Sequence, residues 1–219
     1  MNDNRVSIIG DYLHAVGTTL TALSTNTLEH IVELLDYTRR NGRSVFIFGN
    51  GGSAATASHF ACDLAKGAIV SGEPRLRVAA LTDNVPLFSA WSNDRCYEEV
   101  FSQQLENWLE QGDVAFGISA SGNSANVING IRTARRVGAR TICLTGFDGG
   151  SIRHEVDLCM IVPSHSMEQI EDIHLLLCHI ITTCLRTCNF KPLSIVAYPF
   201  KDMSQTTECA TAINQVAYL

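Results

Sequence analysis

Two short stretches of the chain are built from small, polar residues: Gly49-Asn50-Gly51-Gly52-Ser53 and Ser119-Ala120-Ser121-Gly122-Asn123-Ser124. Glycines let backbone come close to an anion, serine hydroxyls donate to its oxygens, and a following helix adds unpaired N–H groups and the positive end of its dipole. Taken singly, each stretch reads first as a tight turn closed by a serine N-cap. Two of them at equivalent places in one fold favour a phosphate cradle. Neither stretch matches G-x-x-x-x-G-K-[ST], and the first lacks a full G-x-G-x-x-G, so a nucleotide fold is poorly supported.

The titratable residues nearby form a second pattern. His59 and Asp63 stand i and i+4 in the segment after the first stretch, which puts them on one helical face near the cradle; an exposed ion pair is the plainer alternative. Far along the chain, Glu171, His174 and His179 share one helix. Glu171 and His179 are eight positions apart, close to two turns and roughly 80° out of phase on ideal geometry, whereas Glu171 and His174 are nearer in angle. A lone histidine in an apolar helix is commonly a hydrogen-bonded core residue, the reading favoured for His174; for His179 the functional reading is favoured. Eight cysteines contain no C-x-x-C pair and lie largely in apolar segments, so most are expected to be buried free thiols. Cys178, Cys184 and Cys188, all in one helical stretch, are not read as a metal site.

These groups need a scaffold. The chain has 219 residues, 46% hydrophobic and 17% charged, enough apolar material for one domain with a buried core. Apolar residues at helical spacing predict two helices in the first forty residues. Five short apolar runs then read as strands: Ser44–Asn50, Leu76–Thr82, Asp113–Ser119, Arg140–Gly146 and Leu158–Val162. Helical segments at Ala54–Lys66, Tyr97–Glu110 and Ala125–Val137 alternate with them, and a last helix covers about Met167–Thr187. Such alternation predicts an α/β fold with a five-stranded parallel, flavodoxin-like sheet flanked by helices, with right-handed crossovers and ligands at the carboxyl ends of the strands. The division expected is a domain over 1–189, including the N-terminal helical pair, and an extension over 190–219 with no confident element. A net charge of −6 without a basic cluster argues against nucleic acid. The apolar runs are far short of the roughly 20 residues that span a bilayer, and the N-terminus does not read as a signal peptide, so no membrane association and a cytoplasmic location are expected.

At several places the residues resemble a known family. FGNGGSAATASHFACDL (48–64), Trp91-Ser92-Asn93-Asp94, GISASGNSANVI (117–128), LTGFDGG (144–150) and EQIEDIHLLLCHI (168–180) are similar to the sugar isomerase (SIS) domain family, and within it to the phosphoheptose isomerase branch. That resemblance covers about residues 1–189. It implies conversion of sedoheptulose 7-phosphate, a phosphorylated seven-carbon sugar, to a D-glycero-D-manno-heptose 7-phosphate through an enediol. It also implies a divalent metal, commonly zinc, on His59, Asp63, Glu171 and His179, with Asp63 and His179 sharing acid-base work. Phosphate and sugar would be held by Asn50, Gly51, Gly52, Ser53, Ser119, Ala120, Ser121, Ser124 and Glu171, with Asn93 and Asp94, in the loop before the Tyr97 helix, orienting hydroxyls unless that pair is plain surface. A homotetramer is implied as well. Members commonly carry Glu at position 63, Gln at 171 and glycine-arginine at 66–67; Asp63, Glu171 and Lys66-Gly67 depart from this, and Lys66 is the candidate replacement for the lost phosphate contact. Two other readings remain: a non-catalytic scaffold associating with the replication initiator, and a phosphosugar-sensing module.

Overall fold

The computed structural model describes residues 4–188; the expected 190–219 extension and Cys209 lie outside the described residues. Two helices, α1 (Asn4–Thr21) and α2 (Thr25–Arg40), lead into strand β1 (Ser44–Gly49). Helix α3 (Gly52–Cys62) runs on into a π-helical turn (Asp63–Gly67), followed by β2 (Arg77–Ala80), α4 (Val85–Asp94), a 3-10 turn (Tyr97–Glu99) and α5 (Ser102–Trp108). The remainder alternates β3 (Val114–Ile118), α6 (Ala125–Val137), β4 (Arg140–Gly146), a 3-10 turn (Ser151–His154), β5 (Leu158–Val162) and α7 (Met167–Thr187). No helix of the described residues is long and apolar enough to cross a membrane.

The five strands form one parallel sheet in the order β2-β1-β3-β4-β5, the flavodoxin-like order. Period-two side-chain alternation sends residues of one strand to opposite faces. From β1, Val45 and Ile47 enter the core shared with α2, α3 and α7, while Phe46 and Phe48 enter the core shared with α5 and α6. Both faces are therefore covered, which is why these strands read as continuous apolar runs rather than as alternating ones. On the second face α6 comes close to β1 at Gly130, where an added Cβ would lie 2.9 Å from the Phe48 ring.

The helix starts differ in a way that bears on function. Ser24, Asn84 and Ser166 cap α2, α4 and α7, each accepting a hydrogen bond from a backbone N–H three residues on. Gly51 and Ser124, at the starts of α3 and α6, make no side-chain cap.

Three expectations are corrected. Asn93 and Asp94 are the last residues of a helix, α4, not part of a loop. None of the ten residues of α4 is fully buried; Phe88 and Trp91 pack partly buried against the core, an apolar face too short to show a helical period in the sequence. The segment 97–110 is a 3-10 turn and a short helix rather than one helix. Finally, the seven described cysteines are free, but only Cys143 and Cys178 are buried, and Cys62 and Cys188 are exposed.

Candidate active site

Strand order reverses between β1 and β3: the chain leaves β1 for β2 on one side and returns to β3 on the other. Ligands of open α/β sheets bind at the carboxyl ends of the strands at this switch point. Pairing of Phe48 with Gly117 and of Gly49 with Ile118 brings the two small, polar loops out at the same level. The two loops expected to form a cradle are thus neighbours at the switch point.

Local geometry leaves its donors available. Gly51 has φ of +54°, a conformation glycine adopts without a Cβ penalty, and it turns the chain directly into α3. Ser53 is buried at the second residue of that helix. In the other loop the Ser119 hydroxyl donates to the Ser124 Oγ at 3.1 Å, so Ser124 keeps its own hydroxyl proton for another acceptor. Ser121 Oγ accepts from the Asn123 N–H at 3.2 Å and is likewise free to donate. The plain reading of this loop as a serine-capped turn fails, because Ser124 does not cap α6. Ala120 is buried beneath, and its carbonyl accepts from the Gly146 N–H at 2.8 Å. Behind the loop, the segment after β4 presses in without side chains: a Cβ on Gly122 would lie 2.2 Å from the Gly149 carbonyl oxygen.

Beside the cradle three titratable side chains converge. His59 Nε2 is 3.4 Å from Asp63 Oδ2, His179 Nε2 is 3.6 Å from the same oxygen, and the two Nε2 atoms are 3.2 Å apart. One ligand atom from each residue lies within 4.8 Å of the others, so this trio could hold a metal ion. The π-helical turn contributes to the placement: the Ala68 N–H reaches the Asp63 carbonyl at 3.0 Å, five residues back, which gives the chain an extra residue just where the carboxylate must face α7. Gly67 allows the turn to lie against α7, since a Cβ there would be 3.1 Å from the Thr182 methyl.

The remaining candidates fall into three groups. Glu171 is not a member of the trio. Its carboxylate lies over Gly52, where an added Cβ would be 2.6 Å from Oε2. Eight residues along α7 amount to about 12 Å of rise from His179, which accounts for the separation. His174 is the core residue expected: 1% exposed, it donates from Nε2 to the Thr145 carbonyl at 3.1 Å, and burial pushes its pKa down to about 4. Asn93, Asp94 and Lys66 are exposed, with Asn93 Nδ2 donating to Asp94 Oδ1 at 2.8 Å.

Sequence reasoning missed the partners of Asn50. Asn50 and Asn126 exchange two hydrogen bonds, each 2.8 Å, and the Tyr97 hydroxyl adds a third to Asn50 Oδ1 at 2.8 Å. These residues come from three separate elements, so no periodicity links them.

The SIS domain pattern matches residues 11–146. The phosphoheptose isomerase of Aliarcobacter butzleri is 41% identical over 154 residues, covering 70% of this chain and 81% of that one. The chain belongs to the phosphoheptose isomerase branch of the SIS domain family. Among its relatives, the phosphoheptose isomerase of Geobacter sulfurreducens is 42% identical over 149 residues, 68% of this chain and 78% of the relative. The solved phosphoheptose isomerase of Neisseria gonorrhoeae superposes with a TM-score of 0.78 at 31% identity, covering 86% of this chain and 100% of that one. SIS family membership accounts for the sheet order and for the serine-rich loop at the switch point.

Proposed function

We propose that the chain is an isomerase interconverting sedoheptulose 7-phosphate and D-glycero-D-manno-heptose 7-phosphate through an enediol. The observation that carries this reading is the convergence of His59, Asp63 and His179 beside the two-loop cradle, in a chain 41% identical to a phosphoheptose isomerase.

Aldose–ketose exchange needs a base at the carbon next to the carbonyl and donors that stabilise charge developing on oxygen. From the ketose, a proton leaves C1, the C2 oxygen gains a proton, and an enediol forms. The O1 proton then leaves while C2 receives one, giving the aldose. Asp63 and His179 divide these transfers: one removes the carbon-bound proton while the other supplies or accepts the proton at oxygen. Ser53, Ser119, Ser121 and Ser124, with the N–H groups around Gly51 and Gly52, hold the phosphate at the starts of α3 and α6. Glu171, lying over Gly52, is set to accept from sugar hydroxyls.

The trio also suits a divalent ion. Ligand atoms around a tetrahedral zinc stand about 3.3 Å apart when its bonds are about 2.0–2.1 Å, and the observed separations of 3.2, 3.4 and 3.6 Å bracket that spacing. His59, Asp63 and His179 would hold it, leaving a fourth position to a sugar oxygen, since the Glu171 carboxylate lies over Gly52. Bound there, the ion would supply a positive charge that polarises the carbonyl.

Assembly as a homotetramer is part of the same proposal. Val6, Ile8, Ile9 and Leu13 of α1 are each more than half exposed, more apolar surface than one helix leaves open without a partner. A mass near four chains by light scattering supports it; an active single chain opposes it. The seven cysteines among the described residues are free, which suits a reducing compartment such as the cytoplasm. A scaffold or sensing role needs no convergent acid and base, so the trio favours the enzyme.

Incubation with sedoheptulose 7-phosphate in deuterated water, followed by NMR, tests the reading. Appearance of the aldose, with deuterium at C2 where the base exchanges with solvent, is the result expected. No product with divalent metal supplied overturns it.

A further inference from the structure

The hydrogen bonds around Asn50 have a polarity that can be derived step by step. Asn126 is 2% exposed, and its Oδ1 accepts the Val127 backbone N–H at 2.9 Å. A backbone N–H is only ever a donor, so this contact fixes which end of the Asn126 amide is oxygen. The Asn50 atom that faces Asn126 Oδ1 at 2.8 Å must then be the nitrogen, and Asn126 Nδ2 must donate back to Asn50 Oδ1 at 2.8 Å. Tyr97 donates its hydroxyl proton to the same Oδ1 at 2.8 Å.

Both lone pairs of Asn50 Oδ1 are thus occupied, and one of its two amide protons is used. The other amide proton is what the side chain can still offer. Asn50 sits between the end of β1 and Gly51, where the chain turns into α3, and Asn126 follows the start of α6. The pair therefore ties together the two loops that make the cradle, across the switch point.

We propose that Asn126 and Tyr97 are positioning residues for the phosphosugar site, holding Asn50 so that it meets the ligand only as a hydrogen-bond donor. The ligand atom it addresses is an acceptor, a phosphate or carbonyl oxygen, and never a sugar hydroxyl acting as donor. This inference rests on the isomerase reading of the same cleft.

Two variants and two readouts test it. Tyr97→Phe removes one hydroxyl at an exposed position, so it should fold normally. It should raise KM for sedoheptulose 7-phosphate about fivefold, the scale of one hydrogen bond, with kcat within about twofold. Asn126→Asp keeps the acceptor for Val127 but replaces the donor to Asn50 by an oxygen; its KM should rise further. The second readout needs no turnover: in ¹⁵N NMR of the whole chain, one Asn50 side-chain amide proton should exchange slowly, and its signals should shift in Tyr97→Phe. Should the parent show no turnover, the isomerase reading falls while the NMR arm still decides this one. Unchanged KM in both variants of an active parent overturns the proposal, as does an Asn50 amide that exchanges freely and ignores Tyr97→Phe. A loss of thermal stability in Tyr97→Phe with kcat and KM both disturbed assigns the hydroxyl to the fold and overturns it too.

Discussion

His59 and His179, 120 residues apart in sequence, bring their Nε2 atoms to within 3.2 Å over the Asp63 carboxylate. At that distance one imidazole nitrogen can donate to the other, or both can face a cation. On the isomerase reading, His179 and Asp63 carry the proton transfers. His179→Ala and Asp63→Ala should each lower turnover of sedoheptulose 7-phosphate by at least about a hundredfold, the scale of losing a positioned acid or base. Exhaustive chelation should lower it as well, with recovery on adding zinc. Folded variants that keep the parent rate would remove these residues from the mechanism.

Ser121 is a different case. Its oxygen accepts within its own loop while its proton remains available, which suits the proposed role of holding ligand rather than reacting. Ser121→Ala should raise KM about tenfold and leave kcat within about twofold, the pattern of an interaction made equally in ground and transition states. Steady-state kinetics in which kcat falls and KM stays would contradict that assignment.

Two glycines of the site should fail in opposite ways. At Gly52 a new methyl meets only the end of the flexible Glu171 side chain, which can swing aside. Gly52→Ala should therefore melt close to the parent while its activity drops, because Glu171 is displaced. At Gly122 the methyl would strike the Gly149 backbone at 2.2 Å, and φ is +64°. Gly122→Ala should cost at least about 2 kcal/mol of stability from strain and overlap, read by denaturant unfolding. Equal stability losses in the two variants would refute the distinction.

His174 gives the protein a pH-dependent stability. Burial lowers its pKa from 6.5 to about 4, so between those values the unfolded chain binds a proton at this ring and the folded chain does not. Stability is complete above about pH 6.5 and falls as pH drops towards 4, by roughly 3 kcal/mol over the window. His174→Gln retains a donor for the Thr145 carbonyl and cannot be protonated. The stability gap between parent and variant should narrow, or reverse, between pH 7 and 4.5; a constant gap would show that the ring does not titrate in this way.

Much of this could be read from sequence because it is local. Strands buried on both faces announce themselves as apolar runs, as Val45–Phe48 does, and His59 with Asp63 is an i, i+4 pair on one helix. What escaped is either featureless or long-range. Helix α4 turns only a short apolar face, Phe88 and Trp91, to the core, although Asn84 as its cap and Pro86 near its start were signals available. Asn50 and Asn126 meet only because β1 and β3 are neighbours, a contact spanning 76 residues that spacing does not encode. Glu171 was grouped with His179 through family resemblance, but two turns of α7 keep its carboxylate at Gly52.

The unused cap at Ser124 has a thermodynamic consequence. A serine at a helix start is worth about 1 kcal/mol when its oxygen takes the N–H two or three residues on, and here that gain is forgone. Ser124→Ala should consequently cost no capping energy, so that any fall in melting reports only the buried Ser119 hydroxyl losing its acceptor, whereas an aspartate at this position would gain helix stability while placing a negative charge at the proposed phosphate site. On the isomerase reading, a serine held away from its own helix forgoes helix stability and keeps a free hydroxyl for the phosphate.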